Sequence, residues 1–185
     1  KLHPGNVRIG LKQVEYTGHV IDRTGISFSP TKVRSVLNFP LPTVKRQLKQ
    51  FLGLANYFRD HIQFHSKLVA PLQVYLKDYT TRAANHPIAL DAEAITAFNT
   101  IKAMIENCPK LFFLDDTSPI ILYTDACHYG IGAYLAQIIT AATGPALERP
   151  IAFMSASLTG SQLNWDIPQK EAFTIYASLQ KFEYL

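Results

Sequence analysis

The chain has 185 residues, of which 48% are hydrophobic and 17% charged, a balance that supplies a packed core and excludes a disordered polymer. No apolar run approaches the roughly 18 residues that cross a bilayer, the Lys-Leu-His-Pro start is no signal peptide, and two cysteines, Cys108 and Cys127, build neither a disulfide framework nor a zinc site. The net charge of +4 hides an asymmetry: residues 1–82 hold 13 Lys and Arg against 4 Asp and Glu, and residues 83–185 hold 5 against 10.

A basic half beside an acidic half suits a phosphate-binding module joined to a unit that gathers carboxylates around a metal. Two ordinary solvated surfaces give the same numbers, so charge alone leaves both readings open. The cysteine usage fits a reducing, intracellular compartment, cytoplasm or nucleus. The chain does not start with Met, and sequence is therefore expected to precede Lys1.

Val14–Tyr16 and Gly25–Phe28 read as short strands around a turn at Asp22-Arg23-Thr24-Gly25. Ser29-Pro30 predicts a capped helix running to Phe39, stopped by Pro40 and Pro42. Thr43 can cap a second helix, on which Val44, Leu48, Phe51, Leu52, Ala55 and Phe58 recur at helical spacing. Lys45, Arg46, Lys49 and Arg59 fall mostly outside that stripe, on faces open to solvent or phosphates. Ser66 is positioned to cap a third helix through Val69, Leu72 and Tyr75. Residues 78–90 read as a linker. Asp91 then caps a helix with Ile95, Phe98, Ile101 and Ile105 on one face.

Beyond Pro109 the period changes from helical to alternating. Pro119–Asp125, Gly130–Ile139 and Pro150–Ser157 are strand candidates, the last two joined by a loop at Thr143-Gly144-Pro145. A final helix beginning near Pro168 is expected to turn Ala172, Ile175, Tyr176 and Leu179 inward. The fold class is α+β, a basic helical bundle on a small strand pair followed by a β-β-β-α unit.

Two carboxylates stand out in the acidic half. Asp125 ends an apolar strand, where burial is costly unless the group is paired, hydrogen-bonded or metal-bound. Asp also favours strand ends because it starts turns, and taken singly that is the more economical reading. Glu171 falls in what should be the first turn of the last helix, where acidic residues stabilise the helix dipole. A helix packed across a three-stranded meander can bring such a Glu beside a strand-end carboxylate. Two hard oxygen ligands placed so would suit magnesium. The six histidines show no ligand spacing and read as ordinary polar residues, and Gly130-Ile131-Gly132 leads into a strand, so it is no phosphate loop.

Strung together, the segments resemble the Pol polyprotein of gypsy-class LTR retrotransposons almost end to end. Val-Glu-Tyr-Thr-Gly-His at 14–19 is similar to the segment closing the reverse transcriptase palm. Leu48-Lys49-Gln50-Phe51-Leu52-Gly53-Leu54-Ala55-Asn56-Tyr57-Phe58-Arg59 resembles the thumb string. Tyr123-Thr124-Asp125-Ala126, Gly130-Ile131-Gly132-Ala133, Pro150-Ile151-Ala152-Phe153-Met154-Ser155 and Glu171-Ala172 resemble the first strands and catalytic helix of the ribonuclease H domain. Departures from the family pattern occur at Asn6-Val7, Thr17, Cys127 and Trp165.

The resemblance implies palm and thumb over 1–78, a linker and connection helix over 79–115, and a partial ribonuclease H-like domain over 116–185. It implies that Asp125 and Glu171 are catalytic ligands in a two-metal Mg2+ site completed by residues beyond Leu185. It also implies that Lys45, Arg46, Lys49 and Arg59 meet template-primer or RNA–DNA hybrid. The parent would copy RNA into DNA and cleave RNA in hybrids, with this fragment inactive alone. The alternative is a degenerate or co-opted relic that binds nucleic acid without catalysis. Phe113-Leu114-Asp115-Asp116 looks like the aromatic-x-Asp-Asp hairpin of polymerase palms, but the thumb-like helices lie upstream of it, so it is expected to be a plain connection.

Overall fold

The computed structural model describes residues 10–140 and 146–185; Asn6-Val7 and the loop Thr143-Gly144-Pro145 lie outside them. The chain begins with a β-meander, β1 (Gln13–Tyr16), β2 (His19–Asp22) and β3 (Gly25–Phe28). The turn at Asp22 forms as expected, its Oδ1 accepting from the backbone amides of Thr24 at 2.8 Å and Gly25 at 3.2 Å. Strand β2 has no counterpart in the sequence reading, because its tight entry turn has Thr17 and Gly18 both at positive φ, 49° and 85°. A β-branched residue is a poor signal for that geometry. Tyr57 stabilises the turn from outside, its hydroxyl donating to the Thr17 carbonyl.

Four helices follow: α1 (Pro30–Leu37), α2 (Lys45–Asn56), α3 (His65–Gln73) and α4 (Ala92–Glu106). Ser29 caps α1 as its sequence predicts, with Pro30 at the first helical position. The cap of α2 differs from expectation. Val44 is the N-cap residue, and the helix amides of Lys45 and Arg46 donate to the carbonyls of His86 at 3.1 Å and Ala84 at 2.7 Å. Thr43 instead bonds Gln47 Oε1 through its amide and its hydroxyl. The stretch read as a linker therefore closes a helix end, and it adds Ile88 and Leu90 to the core. Ser66 likewise does not cap α3; that helix starts from Phe64, which has left-handed φ of 53°.

The stripe on α2 packs with α4 as its periodicity demands. Leu48, Phe51 and Ala55 share one buried cluster with Phe98, Ile101 and Ile105, all nearly inaccessible, and Phe51 and Phe98 lie 4.4 Å apart between ring centroids. Removing such a buried ring costs about 3–5 kcal/mol. After α4 the chain returns to the meander as β4 (Leu111–Phe112), which pairs antiparallel with β3 and gives the order β1-β2-β3-β4. A two-residue strand carries no alternation to detect.

The remainder is the expected β-β-β-α unit: β5 (Ile120–Ala126), β6 (Gly130–Ile139), β7 (Leu147–Ser157) and α5 (Ile167–Phe182), with the strands antiparallel in the order β5-β6-β7. Gln137 ties the middle strand, β6, to the incoming connection. The amide group of this buried residue donates to the carbonyls of Asp115 at 2.7 Å and Ser118 at 3.0 Å and accepts from the Asp115 amide at 2.9 Å.

The buried face of α5 is not the one expected. Ile175, Tyr176 and Leu179 are 47%, 56% and 60% exposed and Ala172 is exposed, whereas Lys170, Thr174 and Ser178 are buried beside Phe173 and Ala177. Both stripes have helical period, and hydrophobicity alone selects the wrong one. The hydroxyls of Thr174 and Ser178 donate to the carbonyls four residues back, at 2.7 Å and 2.5 Å, so they need no other partner inside. Their small size lets α5 lie close on the sheet.

Candidate functional site

The ladder fixes the surroundings of Asp125. It pairs with Gly132 on β6, and Gly132 pairs with Ser155 on β7, so the three share one cross-strand row. The strand neighbours Leu122 and Ala126 pack with Phe173 and Ala177 of α5 around Ile131 and Ala133. Alternation along β5 therefore turns Asp125 to the face away from α5. Its carboxylate is exposed at the penultimate residue of the strand and joins no ion pair among the described residues.

Glu171 belongs to the opposite layer. Asp166 is the N-cap of α5, accepting from the Gln169 amide at 2.8 Å in a reciprocal capping box, and Pro168 sits in the first turn. Glu171 is thus the fifth helical residue, in the second turn rather than the first. Dipole stabilisation fades within one turn, so that bland explanation loses weight for this residue. Glu171 is half-buried. The two carboxylates stem from different layers, one on the sheet and one on the helix that covers its other face. No group of three or more His, Cys, Asp or Glu side chains able to hold a metal occurs among the described residues.

Next to Glu171, Lys170 is buried, with Nζ donating to the carbonyls of Leu163 at 3.0 Å and His128 at 3.5 Å. It joins the start of α5 to the turn that follows Asp125. The sequence reading missed it, since a lysine beside a glutamate looks like solvated surface.

Lys45, Arg46 and Lys49 gather at the start of α2, where cations oppose the helix dipole and so contribute nothing to helix stability. Arg46 and Lys49 are exposed, and Lys49 Nζ stands 4.2 Å from the Tyr79 ring centre. Arg59 stands apart from this cluster, roughly 20 Å along the helix direction. Its guanidinium donates to the Ser155 carbonyl at 2.5 Å.

Two histidines read as ordinary polar residues are core residues instead. His61 and His65 are 6% and 4% exposed. The His61 ring lies 4.3 Å from that of Phe28, and its Nδ1 faces the Pro109 carbonyl at 3.3 Å. Burial pushes its pKa down to about 4. Their spacing with Ile62 and Val69 was the available signal.

Asp115-Asp116 lies between β4 and β5, strands of two different sheets, rather than in a hairpin. Asp115 accepts from the Thr117 amide and hydroxyl and from the Ser118 hydroxyl, as a turn-forming residue does. These bonds hold its carboxyl below the ordinary range.

Residues 90–185 match the family model for the RNase H-like domain found in reverse transcriptase. Over 172 residues the chain is 35% identical to the retrovirus-related Pol polyprotein from transposon opus of Drosophila melanogaster, covering 90% of this chain and 17% of that protein. It is 26% identical over 178 residues to the Pol polyprotein from transposon gypsy of the same organism, covering 93% and 16%. Among solved structures, the foamy viral protease-reverse transcriptase in complex with RNA/DNA hybrid superposes with a TM-score of 0.68 at 20% identity, covering 92% of this chain and 22% of that one. The chain therefore spans under a fifth of the length of these curated relatives.

Proposed function

The chain belongs to the family of RNase H-like domains found in reverse transcriptases, and on that premise we propose that it is the part of a retrotransposon Pol polyprotein that carries the first half of a hybrid-cutting nuclease site. The observation that carries this reading is the β-β-β-α unit with an exposed carboxylate, Asp125, near the end of its first strand and Glu171 in the second turn of the helix that follows. Lys45, Arg46 and Lys49 bind phosphates of template-primer or hybrid through an exposed basic surface.

Asp125 and Glu171 would be ligands for Mg2+, which in such sites activates the attacking water and stabilises the leaving oxygen. Both offer hard oxygen atoms that join no ion pair among the described residues, which suits that ion. Two carboxylates are too few to fix two mutually repelling cations, so this chain by itself holds the ion weakly and cuts nothing. A non-catalytic relic that only binds nucleic acid would share the basic surface of α2.

The reading is tested by titrating Mn2+ into the isotope-labelled chain and following paramagnetic broadening. Signals of Thr124–Ala126 and Lys170–Ala172 should broaden first, at millimolar metal, and Asp125→Asn should remove the effect. Uniform broadening over the acidic surface would contradict it.

A further inference from the structure

The row that carries Asp125 is gripped from the helical side of the molecule, by three residues that close α2 and open α3. Ser66 donates from its backbone amide to Ser155 Oγ at 2.8 Å, and its hydroxyl meets the same oxygen at 2.7 Å. Arg59 donates to the Ser155 carbonyl. One edge of the Phe64 ring abuts Gly132, so close that a methyl group on that glycine would stand 2.5 Å from two ring carbons.

Gly132 is the cross-strand partner of Asp125, and Ser155 is the partner of Gly132 on the next strand, so all three lie in one row and on one face. The Phe64 ring therefore fills the place that a side chain at 132 would take, immediately beside Asp125. The backbone of Phe64 adopts left-handed φ to put it there, a conformation uncommon for a bulky residue. Ser66, a good capping residue, is diverted from its helix end to Ser155. Local preference is set aside at two neighbouring positions, and both departures serve the same row.

From this we infer that Phe64, with Ser66 and Arg59 as its support, is a positioning residue for Asp125: the thumb-like unit sets the strand row of the nuclease carboxylate. The inference rests on the nuclease reading above. The two units would then not be independent modules on a linker. Forces on the thumb-like helices would reach the nuclease sheet through the Phe64 ring and the Ser66 and Arg59 bonds beside it. Any widening between Phe64 and Gly132 frees the end of β5, where Asp125 must hold its geometry to within a fraction of an ångström.

The test is a double-mutant cycle with amide exchange, made on this chain, together with hybrid cleavage by the complete parent protein. Gly132→Ala alone should lower exchange protection of Thr124–Ala126 and Ile131–Ala133 at least tenfold, leaving α4 unchanged. On a Phe64→Ala background the same substitution should have almost no effect, because the methyl enters vacated space. In the parent, Phe64→Ala should lower kcat for hybrid cleavage at least tenfold with KM unchanged and raise the Mg2+ concentration at half-maximal rate, while Phe64→Leu restores most of both. Additive effects in the cycle, or a kcat indifferent to Phe64→Ala, would overturn the inference. A parent that never cuts hybrid would sink the nuclease reading instead, and the exchange cycle would still decide the coupling.

Discussion

Lys170 donates to the Leu163 carbonyl from a site that is only 2% exposed, one residue before the candidate ligand Glu171. A buried ammonium without a carboxylate partner is costly, and here it is held by neutral carbonyl oxygens alone among the described residues. Lys170→Ala removes both its hydrogen bonds and its packed stem and should destabilise the β-β-β-α unit by about 2–4 kcal/mol. Lys170→Met keeps the stem, removes the charge and should cost less than half as much. Urea unfolding of the two variants decides this, and equal destabilisation would show that the bonds, not the stem, carry the effect.

His61 predicts an acid sensitivity. Its folded pKa is about 4, below the 6.5 of the free side chain, so the unfolded chain binds more protons between those values. Stability from this residue is fully present above about pH 6.5 and is lost as pH falls towards 4, on the order of 2–3 kcal/mol in all. Burial lowers the pKa of His65 as well and acts in the same direction. His61→Phe keeps an aromatic ring against Phe28 and should flatten the dependence between pH 7 and 4.5. An unchanged slope in denaturation midpoints would assign the effect elsewhere.

The basic residues should separate into two groups. Lys45→Ala, Arg46→Ala and Lys49→Ala are each expected to weaken hybrid binding and to reduce the log–log salt dependence by about 0.9 for each phosphate no longer neutralised. Arg59→Ala should leave the salt dependence in place and instead loosen the strand at Ser155. Fluorescence anisotropy across a salt series reads the first effect and amide exchange at Ser155 the second. If Arg59→Ala changed the salt slope as much as the others, its place beside Ser155 would not describe its role.

Much of this fold was legible because its main signals are strong. The Ser29-Pro30 cap, the α2 stripe and the alternation of β5, β6 and β7 each follow from residue types at fixed spacing. What escaped depended on partners distant in sequence. The start of α2 is closed by the carbonyls of 84 and 86, and Ser66 serves Ser155 some ninety positions on. Neither is written in local propensity. The inner face of α5 was misjudged because Thr174 and Ser178 satisfy their own hydroxyls, which hydropathy does not register. Of the candidate site, the identities Asp125 and Glu171 could be read from the chain, but their assignment to opposite layers needed the strand register. The buried role of Lys170 and the core position of His61 were invisible as long as each charge or ring nitrogen was assigned to solvent.

The central claim, that Asp125 and Glu171 are ligands of one nuclease site left incomplete in this chain, is tested by hybrid cleavage. An RNA–DNA hybrid labelled in its RNA strand is incubated with Mg2+ and either this chain or the complete parent protein. Cleavage is expected from the parent alone, and Asp125→Asn or Glu171→Gln in the parent should each reduce it by at least 100-fold, about 2.7 kcal/mol in activation free energy, without loss of hybrid binding. A parent that cuts equally well after either substitution would contradict the account.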